Sequence, residues 1–315
     1  MRVLVTGGAG FIGANLVRSL LAAPAVSAVT VLDDLSSGSV ANLAGLDVEL
    51  VECSILDRAV LDVAVAHADA VVHLAARPSV PRSVTDPVTS HEVNATGTLF
   101  VLEAARAAGG VGVVVASSSS VYGTNPTLPK HEGLRPEPLS PYAVSKLAAE
   151  SYATTYAACY DLPVLPLRFF NVYGPLQPAG HAYAAVIPAF VDAALGGRPL
   201  EIHGDGRQTR DFTYVGSVAQ VLTRAVVERV SHGDAVNLAF GSRLSLLDVV
   251  AALGKTLGRD LPLLHTDPRP GDVRHSQADQ RRLRSLFGDL EPIPFEDGLA
   301  ATVEWFSTGA VPLPA

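Results

Sequence analysis

Tyr142 and Lys146 stand four residues apart in SPYAVSK, within a segment patterned as a helix over 140–160. That spacing puts both side chains on one helix face, one turn apart. A phenol titrates near 10, so a tyrosine acting as a base near pH 7 must be lowered by about three pKa units, or about 4 kcal/mol. A lysine cation at roughly 4–5 Å, with an effective dielectric near 20, supplies about 3–4 kcal/mol of this. Upstream, GVVVASSSSVYG ends an apolar run with four hydroxyls, Ser117, Ser118, Ser119 and Ser120. A parallel sheet presents its ligands at the carboxyl ends of its strands, so strand-end serine, tyrosine and lysine can converge there.

TGGAGFIG (6–13) lies directly between a strand pattern and a helix pattern. Gly7, Gly10 and Gly13 satisfy G-x-x-G-x-x-G, and Gly8, Gly10 and Gly13 satisfy G-x-G-x-x-G. Such glycines allow a sharp turn and let backbone amides approach a pyrophosphate at a helix N-terminus, where the macrodipole favours negative charge. Asp33 then ends the second strand pattern, placed to accept hydrogen bonds from adenosine ribose hydroxyls. The following DLSSG offers no arginine for a 2′-phosphate, which favours NAD over NADP. Asp34, Ser37 and Gly38 read equally as cofactor contacts or as plain turn residues. A nicotinamide cation near Tyr142 would add to the effect of Lys146.

These residues need a scaffold, and the chain alternates short β-rich runs with helix patterns. Residues 2–7, 28–34, 47–52, 69–76, 112–118 and 163–171 read as strands, nearly continuous in valine, leucine and alanine. That is the pattern of strands buried on both faces. Helices are predicted at 12–23, near 55–67, at 92–109 and at 140–160. The alternation predicts an α/β fold, a Rossmann-type doubly wound parallel sheet with a smaller C-terminal substrate domain. The texture becomes loop-rich after 171. One more strand is predicted at 234–241, a helix at 244–258, and a proline- and arginine-rich tail from 259. The expected division is 1–171 for the cofactor, with a returning segment near 209–241, and 172–315 mainly for substrate.

Composition narrows the function classes. The 315 residues are 48% hydrophobic and carry 23 Lys+Arg against 31 Asp+Glu, a net charge of −8. A nucleic-acid or anionic-membrane binder normally carries the opposite sign. Cys53 and Cys159 are too few for a disulfide scaffold or cysteine-based metal site. No apolar stretch approaches the ~18–20 residues of a membrane span, and MRVLVTGG lacks the pattern of a secretion signal. A cytoplasmic protein holding no metal is the expectation.

TGGAGFIG, the aspartate after the second strand, HLAA, the serine run before VYG and SPYAVSK resemble the extended short-chain dehydrogenase/reductase family. FFNVYGP (169–175), GDGRQTRDFTYV (204–215) and RPGDVRHSQAD (269–279) extend the likeness to nucleotide-sugar 4-epimerases over almost the whole chain. The resemblance implies that Tyr142 is the catalytic base, that Lys146 tunes it and holds the nicotinamide ribose, and that Ser118 relays a hydrogen bond to the sugar 4-hydroxyl. It implies cofactor contacts at Phe11, Ile12, Ile55, Leu74, Ala75, Ala76 and Phe170. Ser54 stands where the family commonly offers adenine an aspartate. Asn94 is expected to bond backbone rather than to catalyse.

For a UDP-sugar substrate, the resemblance implies Arg210 and Arg269 on the phosphates, Asp272 on ribose and Asn171 on the pyrophosphate or sugar. Glu201 and His203 would lie along uracil, and Val186 would add an apolar contact. Ser119 and Ser120 would face C6 of a UDP-glucose or UDP-glucuronate. Arg82 or His181 could supply positive charge there, and UDP-N-acetylglucosamine is an alternative. Related 4,6-dehydratases place an Asp-Glu pair where Ser119 and Ser120 stand, which argues against elimination. An NAD-sensing regulator would not need the serine, tyrosine and lysine together. Similar enzymes pair two helices across a two-fold axis, and SKLAAESYATTYAACY is apolar or small around much of its circumference, so a homodimer is expected.

Overall fold

In the computed structural model, residues 1–179, 185–267, 274–288 and 290–311 are described. The first half runs β1 (Arg2–Thr6), α1 (Phe11–Ala22), β2 (Ala28–Asp33), β3 (Glu49–Glu52), α2 (Arg58–Ala66) and β4 (Ala70–His73). Two short helices, α3 (Val80–Thr85) and α4 (Pro87–His91), lead through a π-helical turn at Glu92–Thr96 into α5 (Gly97–Ala107). Then come β5 (Gly112–Ser118), α6 (Pro141–Tyr160) and β6 (Val164–Phe169).

β7 (Asn171–Tyr173), α7 (Val186–Leu195), β8 (Leu200–His203), β9 (Thr209–Arg210) and β10 (Phe212–Tyr214) follow. They precede α8 (Val215–Val227), β11 (Val236–Leu238), β12 (Leu244–Ser245) and α9 (Leu246–Leu257). β13 (Leu263–Thr266), α10 (Arg281–Leu286) and α11 (Phe295–Thr308) complete the described elements.

Seven parallel strands form the main sheet in the order β11-β6-β5-β4-β1-β2-β3. The apolar strand runs are explained by their alternation. Val3 and Val5 enter one core cluster with α1 and α8, while Leu4 enters the opposite one with α2 and α5. Val72 and Val71 divide the same way on β4. From Val3 to Thr6 and along all of β4 every side chain is buried, so a polar alternation has no place.

Strand order reverses beside β1, with β2 on one side and β4 on the other. The crevice at that switch point is where an open α/β sheet holds its ligand.

The strand expected at 163–171 divides. β6 ends at Phe169, and after Phe170 the chain leaves the sheet so that Asn171–Tyr173 pairs with Phe212–Tyr214 in a separate two-stranded sheet. A third core around Ile187, Phe190, Leu200, Val249 and Leu299 gathers α7, α9 and α11. The chain returns to the main sheet through α8 and β11, and Leu283 and Phe287, on and just past α10, join the α1 side of the core. No helix among the described residues is long and apolar enough to cross a membrane.

Candidate active site

The glycine turn is shaped by close packing. Gly7 has φ +73°, and a Cβ there would lie 2.6 Å from the Ala75 amide nitrogen. A Cβ on Gly13 would collide with the Gly7 carbonyl, so α1 could not start so close to β1. Gly10 caps α1 with no side-chain hydrogen bond and no acid in the first turn, which leaves its positive end for an anion. Asp33 is buried beside it. Its Oδ2 accepts from the Ala9 amide and its Oδ1 from the Leu35 amide, both at 2.9 Å. Burial pushes its carboxyl above the ordinary value, and the two amide bonds oppose that rise.

A cavity of about 840 Å³ opens over the carboxyl ends of the central strands. Of the residues expected at the cofactor, Gly7, Gly10, Phe11, Ile12, Gly13, Asp33, Asp34, Ser37, Ile55, Leu74, Ala75, Ala76 and Phe170 line it. Ser118, Tyr142 and Lys146 line it as well. Gly38 and Ser54 are not on this wall. Gly38 packs against the Ala9 backbone, and the Ser54 hydroxyl accepts from the Leu56 amide at 3.2 Å, while neighbouring Cys53 faces the cavity.

The tyrosine is held by local capping. Ser140 is the N-cap of α6 and accepts from the Ala143 amide at 3.1 Å, with Pro141 at the first helical position. Ser83 of α3 accepts from the Tyr142 amide at 3.0 Å and donates to the Val80 carbonyl. Asn94, in the π-helical turn, accepts from the Arg77 amide at 2.7 Å and donates to Ser145, which itself donates to the Tyr142 carbonyl. Asn94 is thus engaged with backbone and with α6, away from the reacting groups.

Lys146 is buried, and its Nζ donates to the Ala116 carbonyl at 2.9 Å. Burial lowers its pKa to about 8. Burial raises the Tyr142 phenol, and a hydrogen bond with Ser118 works against the rise. The phenol depression expected from lysine spacing alone is therefore not what the polypeptide delivers. Desolvation of both groups dominates, and the ammonium is held on a strand carbonyl. Removing charge from water opposes ionisation of tyrosine and lysine alike.

Beneath the cavity, a directional chain of hydrogen bonds fixes His73. The Thr98 hydroxyl must donate to the Asn94 carbonyl at 2.6 Å, so it accepts from His73 Nε2 at 2.9 Å. His73 Nδ1 then accepts from the Thr6 hydroxyl at 2.7 Å, and Thr6 accepts from the Ala75 amide at 3.3 Å. Nδ1 is the acceptor because the ring is neutral, its pKa lowered to about 3 by burial and by the Lys146 charge.

The residues expected at the substrate are spread more widely. Ser119, Ser120, Asn171, Val186, Glu201, His203 and Arg210 do not line the cavity. Ser120 is turned to Ser118 instead, with its hydroxyl donating at 2.9 Å. Glu201 and His203 lie on β8 beside β13, where His203 pairs with the Thr266 hydroxyl at 2.8 Å. Arg210 lies on β9 and donates to the Thr209 carbonyl at 3.0 Å. Arg269, Asp272 and His181 fall outside the described residues. Arg82 does reach the cavity wall.

Several wall residues escaped sequence reasoning. Ser79, with φ +103°, lines the cavity at the start of α3. Gln177 lines it too, and its buried Oε1 has no hydrogen-bond partner among the described residues. Trp305, the only tryptophan, comes from α11 near the chain's far end. A lone tryptophan two residues beyond the apolar Val303 was the available signal.

The family model for the NAD dependent epimerase/dehydratase family matches residues 3–239. A UDP-glucose 4-epimerase of Mycolicibacterium smegmatis is 41% identical over 313 residues, covering 97% of this chain and 98% of the relative. A UDP-N-acetylglucosamine 4-epimerase of Methanobrevibacter ruminantium M1, solved with UDP-N-acetylmuramic acid, superposes with TM-score 0.92 at 36% identity, covering 98% and 99% of the two chains. The UDP-glucose 4-epimerase of Thermotoga maritima, solved with UDP-glucose, gives 0.91 at 34% identity with the same coverage. The chain belongs to the NAD-dependent epimerase/dehydratase family, with NAD as its cofactor and isomerisation as its class of reaction.

Proposed function

We propose that the protein is a UDP-hexose 4-epimerase with UDP-glucose as its substrate. The observation that carries this reading is the meeting of Ser118, Tyr142 and Lys146 with the glycine turn and Asp33 on one cavity wall. Bound in that cavity, NAD would supply a hydride acceptor for C4 whose reduced form could serve either face of the resulting ketone. The glycine turn and the start of α1 hold the pyrophosphate, and Asp33 accepts from ribose hydroxyls. Tyr142 takes the 4-hydroxyl proton as the carbonyl forms and gives it back after the sugar has turned over. Lys146 supports the phenolate and holds the nicotinamide ribose. Ser118 donates its one proton at the Tyr142 oxygen. The cycle is redox-neutral, so no external reductant is consumed.

Serines at positions 119 and 120 argue against dehydration, because neither supplies a carboxyl acid or base for removing water across C5 and C6. The polar partner expected for C6 is weakened by Ser120 being occupied with Ser118, which favours a neutral hydroxymethyl over a carboxylate. Arg82 on the cavity wall supports UDP-glucuronate as a second reading, since a guanidinium can bind a carboxylate in bidentate fashion. Arg210 and the 201–203 strand would serve the nucleotide. Val144, Tyr152 and Tyr160 leave apolar surface on α6, 51%, 39% and 52% exposed, which suits a homodimer through α5 and α6; a monomer mass by light scattering at micromolar concentration would remove that part.

The test is product analysis by NMR on UDP-glucose, UDP-N-acetylglucosamine and UDP-glucuronate at matched concentrations, without added reductant. Highest kcat/KM on UDP-glucose is expected. A preference of tens-fold for UDP-glucuronate that disappears in Arg82→Ala would replace UDP-glucose with the uronate.

A further inference from the structure

We infer that Ser120 is a positioning residue, holding the Ser118 hydroxyl with its proton aimed at the Tyr142 phenol oxygen. The inference rests on the reading of Tyr142 as the base. It comes from counting donors and acceptors at one oxygen. Ser118 Oγ accepts from the Ser120 amide at 3.2 Å, as the N-cap of the short helical turn Ser119–Tyr122. It also accepts from the Ser120 hydroxyl at 2.9 Å. A serine oxygen has two lone pairs and one proton. With both lone pairs engaged by Ser120, the remaining proton is the only group Ser118 has left for Tyr142, which lines the same cavity wall and whose phenol Ser118 holds down against the effect of burial.

The direction matters to the chemistry. A hydroxyl that accepts from tyrosine stabilises the neutral phenol, whereas one that donates stabilises the phenolate. Filling both lone pairs removes the first arrangement. Ser120 therefore biases Ser118 toward the state in which tyrosine can take a proton from the sugar. The charged groups that share the cavity wall with the phenol are Lys146, one turn along α6, Arg82 from α3, and Asp33 and Asp34 at the end of β2. His73 at the end of β4 is neutral, and Ser118 on β5 carries no charge. A change at Ser120 leaves all of them in place.

The variants are Ser120→Ala and Ser120→Thr, compared in the cofactor-loaded enzyme. In Ser120→Ala, kcat should fall roughly three- to ten-fold near pH 7 with KM unchanged, the scale of loosening one hydrogen bond to a charged group. The acid limb of the kcat–pH profile should move to higher pH, and Ser120→Thr should restore both. A sugar-binding Ser120 gives the opposite pattern, a raised KM with the limb unmoved, and that result overturns the inference. A second readout does not depend on turnover. The tyrosinate absorbance titration, taken as the difference from Tyr142→Phe in the same background, should show Tyr142 ionising at higher pH in Ser120→Ala. An unchanged titration overturns the inference even if the protein epimerises no UDP-sugar. A shifted titration without epimerisation instead removes the functional reading and leaves the hydrogen-bond assignment standing.

Discussion

Lys146 Nζ donates to the carbonyl of Ala116 at 2.9 Å, two residues before Ser118 on the same strand. Helix α6 and strand β5 are thereby tied beside the cavity wall that Ser118 and Tyr142 share. The lysine ionises at about 8 because it is buried, against 10.5 in the open chain. Between those values the unfolded chain holds a proton that the folded protein does not, so stability should rise with pH across that window. Relative to Lys146→Met, which lacks the titration, wild-type stability should gain up to about 3 kcal/mol from pH 8 to 10.5. Parallel denaturant titrations measure it, and parallel pH slopes for the two proteins would show that Lys146 is not perturbed by burial.

His73 acts in the same direction at lower pH. Its folded-state pKa of about 3 lies below the ordinary 6.5, so the unfolded chain binds the extra proton as pH falls. The contribution of the neutral ring is whole above pH 6.5 and is lost progressively down to 3, a difference of about 5 kcal/mol at most. His73→Asn should be less stable at neutral pH because the Thr6 and Thr98 hydroxyls lose a partner. Its acid sensitivity should nevertheless be shallower by one proton. Equal acid slopes in urea melts at pH 4–6.5 would count against a buried neutral histidine.

Glu150 and Arg168 form a buried pair, with Arg168 Nη2 at 2.6 Å from Oε1 and Nε at 2.9 Å from Oε2, and Ser117 also donating to Oε2. The guanidinium stacks 4.7 Å from the Tyr122 ring centroid. Removing one partner strands a buried charge. Glu150→Ala should lose about 3–5 kcal/mol by chemical denaturation. A loss below about 1 kcal/mol, the scale of an exposed pair, would show that water reaches the site.

Much of this was legible in the residues, for physical reasons that differ by element. Strands buried on both faces announce themselves as unbroken apolar runs, so all seven sheet strands, that at 234–241 included, and the glycine turn could be placed from sequence. Asp33 and the Tyr142/Lys146 pair were readable because their spacing is set inside single elements. The break at Phe170 was not, since Asn171 reads as the end of its strand and the chain beyond as loop until β10 is there to pair with it. Trp305 was missed because its place on the cavity wall depends on α11 packing across two cores, and no local pattern encodes that. The bonds from Ser120 to Ser118 were not legible either, since they depend on the capping geometry of the turn that follows β5.

The proton-and-hydride cycle at Tyr142 is tested most directly by running UDP-glucose to equilibrium in D₂O and reading the products by NMR, with Tyr142→Phe alongside. Hydrogen that leaves C4 as hydride and returns never exchanges with solvent. Wild type should therefore form UDP-galactose with no deuterium at C4, C5 or C6, without added reductant. Tyr142→Phe should still carry NAD while its turnover falls by at least about 10²-fold, the scale of losing a general base. Deuterium at C4, a 4-keto-6-deoxy product, or a Tyr142→Phe variant within a few-fold of wild type would contradict it.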